Sequence, residues 1–522
     1  MKKFLALLLV AVMCLSLCGT VSAEDERPTI TILMQVSTNI TDIETNAYTK
    51  HLEDTFNVNL DFVQLPNSDA SSKLDLMINS GETLPYVINY NMSLEKCWQY
   101  AEAGALVDLT PYYEDPEFNS NLVTANEMVT EIDLFTYVTC PDGCIYTIPR
   151  FQRELHSNMQ GKLWVNQTWI DEVGLGTPTT TDEFYTVFKK IQENHPESLG
   201  LIARSGGGQA DIIEYFMNSF IYDDGDEHFV VNDGVLDVVY DKDEWKAGLA
   251  YVKKLYDEGI IYADSFTLER TQQKALALQD DPLICAGFTN SSISLIDQNT
   301  TAWQNYEGLA PLAGPEGVRF SRLSPSFPEP QWFVTKDCPE ELVDLCVQIG
   351  IFMFDPTETE FILDRFGVQD VDWRAPYEGE VSKYDGFAAR YLQLHVIWNM
   401  EENSHWQKNG PHFAYNVDQG EVDDGDPTNW SHKVPHAVVK YLQYKPADGT
   451  YVPKLVLNED EIDDWNEIRT NLKSVVDEWK VAFVTGQKSL DTDWDEYISV
   501  LNSLNYKGWV EAAQVIYDRM YK

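Results

Sequence analysis

The chain has 522 residues, with 84 Asp plus Glu against 37 Lys plus Arg and a formal net charge of -47. Hydrophobic residues make up 44% and aromatics 12%, enough for packed cores, which excludes a disordered chain or a fibre. The acidity argues against nucleic acid and against anionic membrane surfaces, since both need clustered Lys and Arg. The length predicts more than one core, in two or three lobes.

Residues 1–23 read MKKFLALLLVAVMCLSLCGTVSA. Lys2 and Lys3 form a basic start, an apolar run follows, and Val21, Ser22 and Ala23 end it with small residues. This pattern predicts a secretory signal peptide cleaved after Ala23. A lipid anchor on Cys18 or Cys14 would want a small residue before it, and Leu17 and Met13 match poorly. No later stretch approaches the ~20 apolar residues of a transmembrane helix. The expected location is outside the cell or on the outer face of its membrane.

The elements then follow in order. TITILMQV at 29–36 alternates and is β-branched, so it predicts a strand. A helix is expected over 46–56, a strand over 58–65, a helix stopped by Gly81, and a third strand over 86–90. This β-α-β-α-β order implies a parallel sheet covered by helices. Such sheets bind ligands at the C-terminal ends of their strands. Helices are predicted over 179–194, with Thr181 as N-cap, over 243–259, ending at Gly259, and over 339–354. The Pro-, Gly- and Ser-rich stretch 309–331 predicts an extended connection. From Asn458 to Lys522 the chain is expected to be mostly helical.

Removing the leader leaves six cysteines, at 97, 140, 144, 285, 338 and 346. CPDGC at 140–144 spans a Pro-Asp-Gly turn, so its two thiols could meet across a tight hairpin. No second pair follows at zinc-ligand spacing.

These segments together resemble the family 1 extracellular solute-binding proteins of bacterial ABC importers. They are most similar to the long, oligosaccharide-binding, lipoprotein-type members of Gram-positive bacteria. The resemblance rests on GALVDLTPYYEDP at 104–116, GCIYTIPR at 143–150, LWVNQTWIDEVGLGTPTTTDEF at 163–184, KKLYDEGIIYADSF at 253–266, FGVQDVDW at 366–373 and the C-terminal segment. It implies an α/β, two-lobed periplasmic-binding-protein-like (type II) fold, with a hinge and a sugar held in the interlobe cleft. Lobe one would comprise 24–160 plus 311–355, and lobe two 161–308 plus 356–522. The partners would be a carbohydrate and a membrane permease, with the protein a monomer. Some long members carry a calcium loop where this chain reads ENHPESLG at 193–200, which lacks the oxygens at fixed offsets. No metal and no cofactor are expected.

A pyranose has apolar C–H faces and a rim of hydroxyls, so aromatic rings and polar side chains recognise it together. Ser37, Thr38 and Asn39 follow the first strand and Arg150 follows another, at the ligand end of the sheet. The resemblance adds Tyr90 and Asn91 after the third strand, Phe288, Asn290 and Ser291 in a lobe-two loop, and Trp373 at the end of FGVQDVDW. Trp332 ends the Pro-rich return near the cleft. WNMEENSHWQ at 398–407 reads as a solvated loop, as does the acidic DDGD at 423–426. His432 and His436 have i,i+4 spacing, but Pro435 between them disfavours an unbroken helix there. SGGGQ at 205–209 lacks the Lys-Ser/Thr of a phosphate loop. Among enzyme signatures, neither a Gly-x-Ser-x-Gly elbow nor a His-Glu-x-x-His zinc helix is present. A binding protein for a peptide or other solute and a secreted carbohydrate-active enzyme are the alternatives.

Overall fold

The computed structural model describes residues 27–522 apart from 67, 205–210, 278–284, 297–299, 385, 396–399 and 427–428. The leader, the Gly run at 205–209 and Trp398 lie outside the described residues. The chain begins with β1 (Thr29–Gln35), α1 (Ala47–Phe56), β2 (Asn59–Leu65), α2 (Ala70–Ser80), β3 (Val87–Asn89) and α3 (Leu94–Glu102). After β4 (Ile148–Gln152) come β5 (Lys162–Asn166), α4 (Thr181–Asn194), β6 (Leu201–Ile202), α5 (Ile212–Met217) and α6 (Asp243–Asp257). Next are β7 (Gly287–Asn290), β8 (Tyr306–Leu309), β9 (Glu329–Val334), α7 (Glu340–Met353), α8 (Thr359–Phe366) and β10 (His412–Ala414). The helices α9 (Lys433–Leu442), α10 (Glu459–Thr485), α11 (Trp494–Ser503) and α12 (Tyr506–Tyr521) complete the chain. Among the described residues no helix is long and apolar enough to cross a membrane.

The first sheet has the order β10-β4-β9-β3-β1-β2. β1 runs parallel to β2 and β3, β10 runs parallel to β4, and β9 is antiparallel to both its neighbours. The period-2 pattern puts Ile30, Ile32 and Met34 on one face, with Val87, Trp332 and α7. Leu33, Ile88 and Phe333 face the other way, against Leu74 and Cys97. Both faces are covered, as a mostly parallel sheet requires.

The second sheet has the order β8-β5-β7-β6. Leu163 and Val165 face the large core that contains Phe184, Trp245, Phe483 and Trp509. Trp164 points oppositely, toward Phe288 and Tyr306. The C-terminal helices therefore complete this core, and their predicted helicity is realised. α9 packs so closely on β8 that a Cβ at Gly308 would lie 2.5 Å from the Ala437 Cβ.

Three local expectations change. Of the segment 356–522, expected with the second lobe, the part up to β10 stays with the first, while the helices from α9 onward join the second as expected. β10 pairs with β4, and Trp406 and Phe413 lie in the first core. The reason is edge chemistry: β4 would otherwise present an unpaired edge, and the fully buried residues of β10 cover it. The N-cap of α4 is Thr180, not Thr181, because Thr180 and Glu183 form a reciprocal capping box. Pro435 does not break α9, because it falls in the first turn, where its missing N–H would have had no intrahelical partner.

Candidate ligand site between the lobes

The hinge connections decide which sheet edges meet. β4 ends at Gln152 and β5 starts at Lys162, so the C-terminal edge of sheet one adjoins the N-terminal end of β5. β7 is antiparallel to β5 with Lys162 opposite Asn290, which puts the end of β7 at the same seam. β9 begins there too, with Glu329 opposite Arg150.

Several residues chosen from the sequence come together on the lobe-one rim. Arg150 Nε donates to Glu329 at 2.8 Å and Arg150 Nη2 to Asn91 Oδ1 at 3.1 Å. Asn91 Nδ2 donates to Glu329 at 3.2 Å, so the three form a closed, half-exposed triad. Ser37 Oγ accepts the Asn39 N–H at 3.3 Å, and Thr38 is exposed beside them. Tyr90 packs its ring partly into the core under α3. On lobe two, Ser291 is half-buried and its carbonyl accepts from Lys162 Nζ at 3.1 Å. Asn290 is nearly buried and bonds the Ser292 carbonyl at 2.9 Å.

Three aromatic choices are corrected. Phe288 and Trp332 are both 0% exposed, because the strand period turns them into the cores. Trp332 Nε1 is already committed to the Cys346 carbonyl at 3.0 Å. Trp373 packs with Phe361 and Phe366 in a small cluster, and its Nε1 donates to the Gly367 carbonyl at 2.9 Å. None of the three offers a face to a ligand.

A cavity of about 480 Å³ lies between the lobes, beside the C-terminal helices. Lobe one supplies Ser93, Glu95, Trp98 and Pro141, and the connection supplies Ser324 and Phe327. Lobe two supplies Tyr222, Tyr451, Trp465 and Arg469. The wall is thus built of rings with polar groups between them. Trp98 Nε1 is buried without an acceptor. Arg469 is paired with Glu227, and burial raises the Glu227 carboxyl despite that cation. Asn466 Nδ2 donates to Glu95 Oε1 at 2.7 Å, a contact from α10 to α3 across the seam. Tyr137 and Tyr521 make a second bridge through their hydroxyls.

The sequence reading missed this wall. Trp98 had a signal, since it lies one turn beyond the Ser93 N-cap that follows the already flagged Tyr90 and Asn91. Tyr451, Trp465 and Arg469 had none, because only folding brings them to residue 98.

Charged groups pin the hinge. Lys408 Nζ donates to Gln152 Oε1 at 2.8 Å and to Glu154 at 3.1 Å. Arg365 Nη1 lies 3.2 Å from Glu154 and 3.0 Å from Asp418. Burial alone would raise Glu154, but Lys408 and Arg365 outweigh it and hold the carboxylate charged. Lys162 is fully buried, and its Nζ donates to the carbonyls of His156, Met159 and Ser291.

Two groups have metal-ligand residue types. Asp223, Asp224 and His228 form one. Burial disfavours the His228 charge, but the Asp223 carboxylate 2.8 Å away holds the ring up to about 9, so it is protonated and unsuited to ligate a cation. In the second, the acidic loop at 423–426 is closed by His432, whose Nε2 lies 2.8 Å from Asp424.

Residues 41–281 match the family model described as bacterial extracellular solute-binding protein. That match spans a little under half of the chain. The chain is 22% identical over 487 residues to the fructooligosaccharide ABC transporter substrate-binding protein FusA of Streptococcus pneumoniae serotype 4, covering 90% of this chain and 86% of the relative. It is 26% identical over 277 residues to lipoprotein LipO of Bacillus subtilis, covering 50% of this chain and 51% of LipO. Among solved structures, S. pneumoniae FusA in complex with kestose superposes with TM-score 0.72 at 19% identity, covering 94% of this chain and 99% of that one. An HMO-binding solute-binding protein of Bifidobacterium longum infantis superposes with TM-score 0.76 at 16% identity, over 95% and 100%. The two-lobed α/β fold is common to the chain and these solved structures, and extracytoplasmic placement goes with the matched family.

Proposed function

We propose that this protein captures a carbohydrate between its lobes and delivers it to the permease of an ABC importer. The observation that carries the reading is the interlobe cavity, walled by rings from both lobes with polar groups between them. Rings pack on pyranose C–H faces, while the Trp98 N–H and the carboxylates meet hydroxyls that would otherwise be buried unpaired. Asn91, Asn290 and Ser291 at the strand ends, and Arg150 within β4 beside Asn91, bond the sugar rim as the lobes close. Because both lobes contribute to the wall, ligand favours the closed arrangement, and closure is a population shift. The oligosaccharide-binding names of FusA and of the Bifidobacterium structure support this substrate class. The names of the relatives describe binding rather than turnover, which supports a non-catalytic role. Release after Ala23, without lipid, is the maturation that fits the poor lipobox around Cys18.

A thermal-shift and calorimetry series with fructo-, milk and pectic oligosaccharides tests the proposal. Ligand at 100 times its Kd adds about 2.7 kcal/mol of stability. Trp98→Ala should weaken the bound sugar by about tenfold to a hundredfold, and Trp98→Phe by less, since it keeps one aromatic ring while losing the N–H donor and part of the stacking area. A shift with peptides and none with any sugar would overturn the substrate class. Shortening of the sugar during incubation would overturn the non-catalytic role.

A further inference from the structure

The six cysteines of the mature chain are unbonded, but they are not scattered. Cys97 on α3 and Cys140 in the neighbouring hairpin point at each other in the core on the other face of the first sheet, beside Leu33 and Phe333, Sγ to Sγ 4.0 Å. They are 0% and 3% exposed. Cys144, the hairpin partner expected from the CPDGC spacing, meets Cys140 only through the backbone, with the Cys140 N–H donating to the Cys144 carbonyl at 2.8 Å. The residues next to the buried pair are Trp98 and Pro141, both part of lobe one's side of the cavity wall.

We infer that Cys97 and Cys140 form a disulfide in the exported protein, and that this bond fixes the lobe-one wall of the ligand cavity. Two features set this pair apart: it joins separate elements across a 43-residue span, and it borders the cavity wall. Cys338 and Cys346 also approach, to 3.8 Å between sulfurs, but they are only eight residues apart at the entry of α7, so a bond between them would restrict the chain far less. Cys97 and Cys140 sit on separate elements that a small sidewise shift brings together.

The oxidant is a disulfide, either a small molecule such as oxidised glutathione or a thiol–disulfide exchange protein outside the cell. One thiolate attacks a sulfur of that disulfide and forms a mixed disulfide, releasing the first oxidant thiolate. The second cysteine thiolate then displaces the other oxidant sulfur. Two electrons pass to the oxidant, which leaves as thiols carrying the two protons. The exchange runs before the core closes, since the thiols are inaccessible afterwards. The bond closes a 43-residue span, which restricts the unfolded chain.

The test uses the full exported protein, refolded with oxidised glutathione and alkylated in denaturant without reductant. The expected result is that Cys97 and Cys140 alone escape alkylation, and that one cross-linked peptide pair joins them. Alkylation of all six cysteines, or a link from Cys140 to Cys144, overturns the inference. Protein refolded under reducing conditions should melt several degrees lower than the oxidised form and bind the sugar about threefold or more weakly. An unchanged affinity would overturn the claim on the cavity wall, even with the bond present. The mass readout needs no ligand, so failure of the sugar assignment leaves it standing.

Discussion

Lys162 and Lys480 are both buried in the second lobe, one at the hinge entry and one within the C-terminal helices. Burial acts against the charge at each. Around Lys480 stand Asp211 at 3.0 Å, Glu214 at 3.2 Å and Asp477 at 2.9 Å, and their carboxylates hold it well above the usual lysine range. Lys162 donates to carbonyl oxygens, over the Tyr441 ring and with no carboxylate bonded to it, and burial lowers it to about 7. Carboxylate neighbours, more than depth, therefore set the proton. The helix junction is a fixed ionic pin, and the hinge entry holds a cation whose charge is marginal at neutral pH.

The sharpest way to break the contrast is Lys480→Met. It leaves Asp211 and Glu214 buried with less compensation, where burial and the Asp211 charge already push Glu214 up to about 7. Urea unfolding should show a loss of about 3–5 kcal/mol. Lys162→Met should do much less at pH 7, within about 1.5 kcal/mol, because the lost hydrogen bonds are offset by relief from burying the charge. Its signature is the pH dependence. The folded-state value is depressed to about 7, so the native chain binds fewer protons than the unfolded chain above that pH. Wild-type stability should rise between pH 7 and the ordinary lysine range, and the Met variant should lose that rise. A parallel rise in both proteins would remove Lys162 as its cause. Asp477→Asn sharpens the comparison with the smallest effect. That partner is half-exposed, so its loss should cost about 0.5 kcal/mol or less by the same unfolding measurement.

The fold was legible where local rules and tertiary structure agree. The alternation at 29–36 and the order of elements up to Asn89 are those of the structure, to within a residue or two. The helix ends were nearly legible, and Thr180 displaced Thr181 only because Glu183 completes a reciprocal cap with it. The site was less legible. Asn91 and Arg150 read from the sequence as residues following strands, and they do meet at Glu329, although Arg150 lies within β4 and does not follow it. Trp332 and Trp373 were misjudged because an aromatic residue in a strand has two faces to choose from, and only packing decides which is buried.

The amino-acid sequence by itself determined the parallel β1–β3 part of the first sheet, the helices that cover it, the helical C-terminus and the resemblance to solute-binding proteins. These rest on periodicity and on motifs a few residues apart. Tertiary structure alone decided that residues 412–414 join the first sheet, that Cys140 faces Cys97, and that Trp98 shares a cavity with Tyr451 and Trp465. The physical reason is separation: each of these pairings joins segments tens to hundreds of residues apart. No local pattern specifies such a meeting, which follows from which buried surfaces fit and which edges remain to be covered.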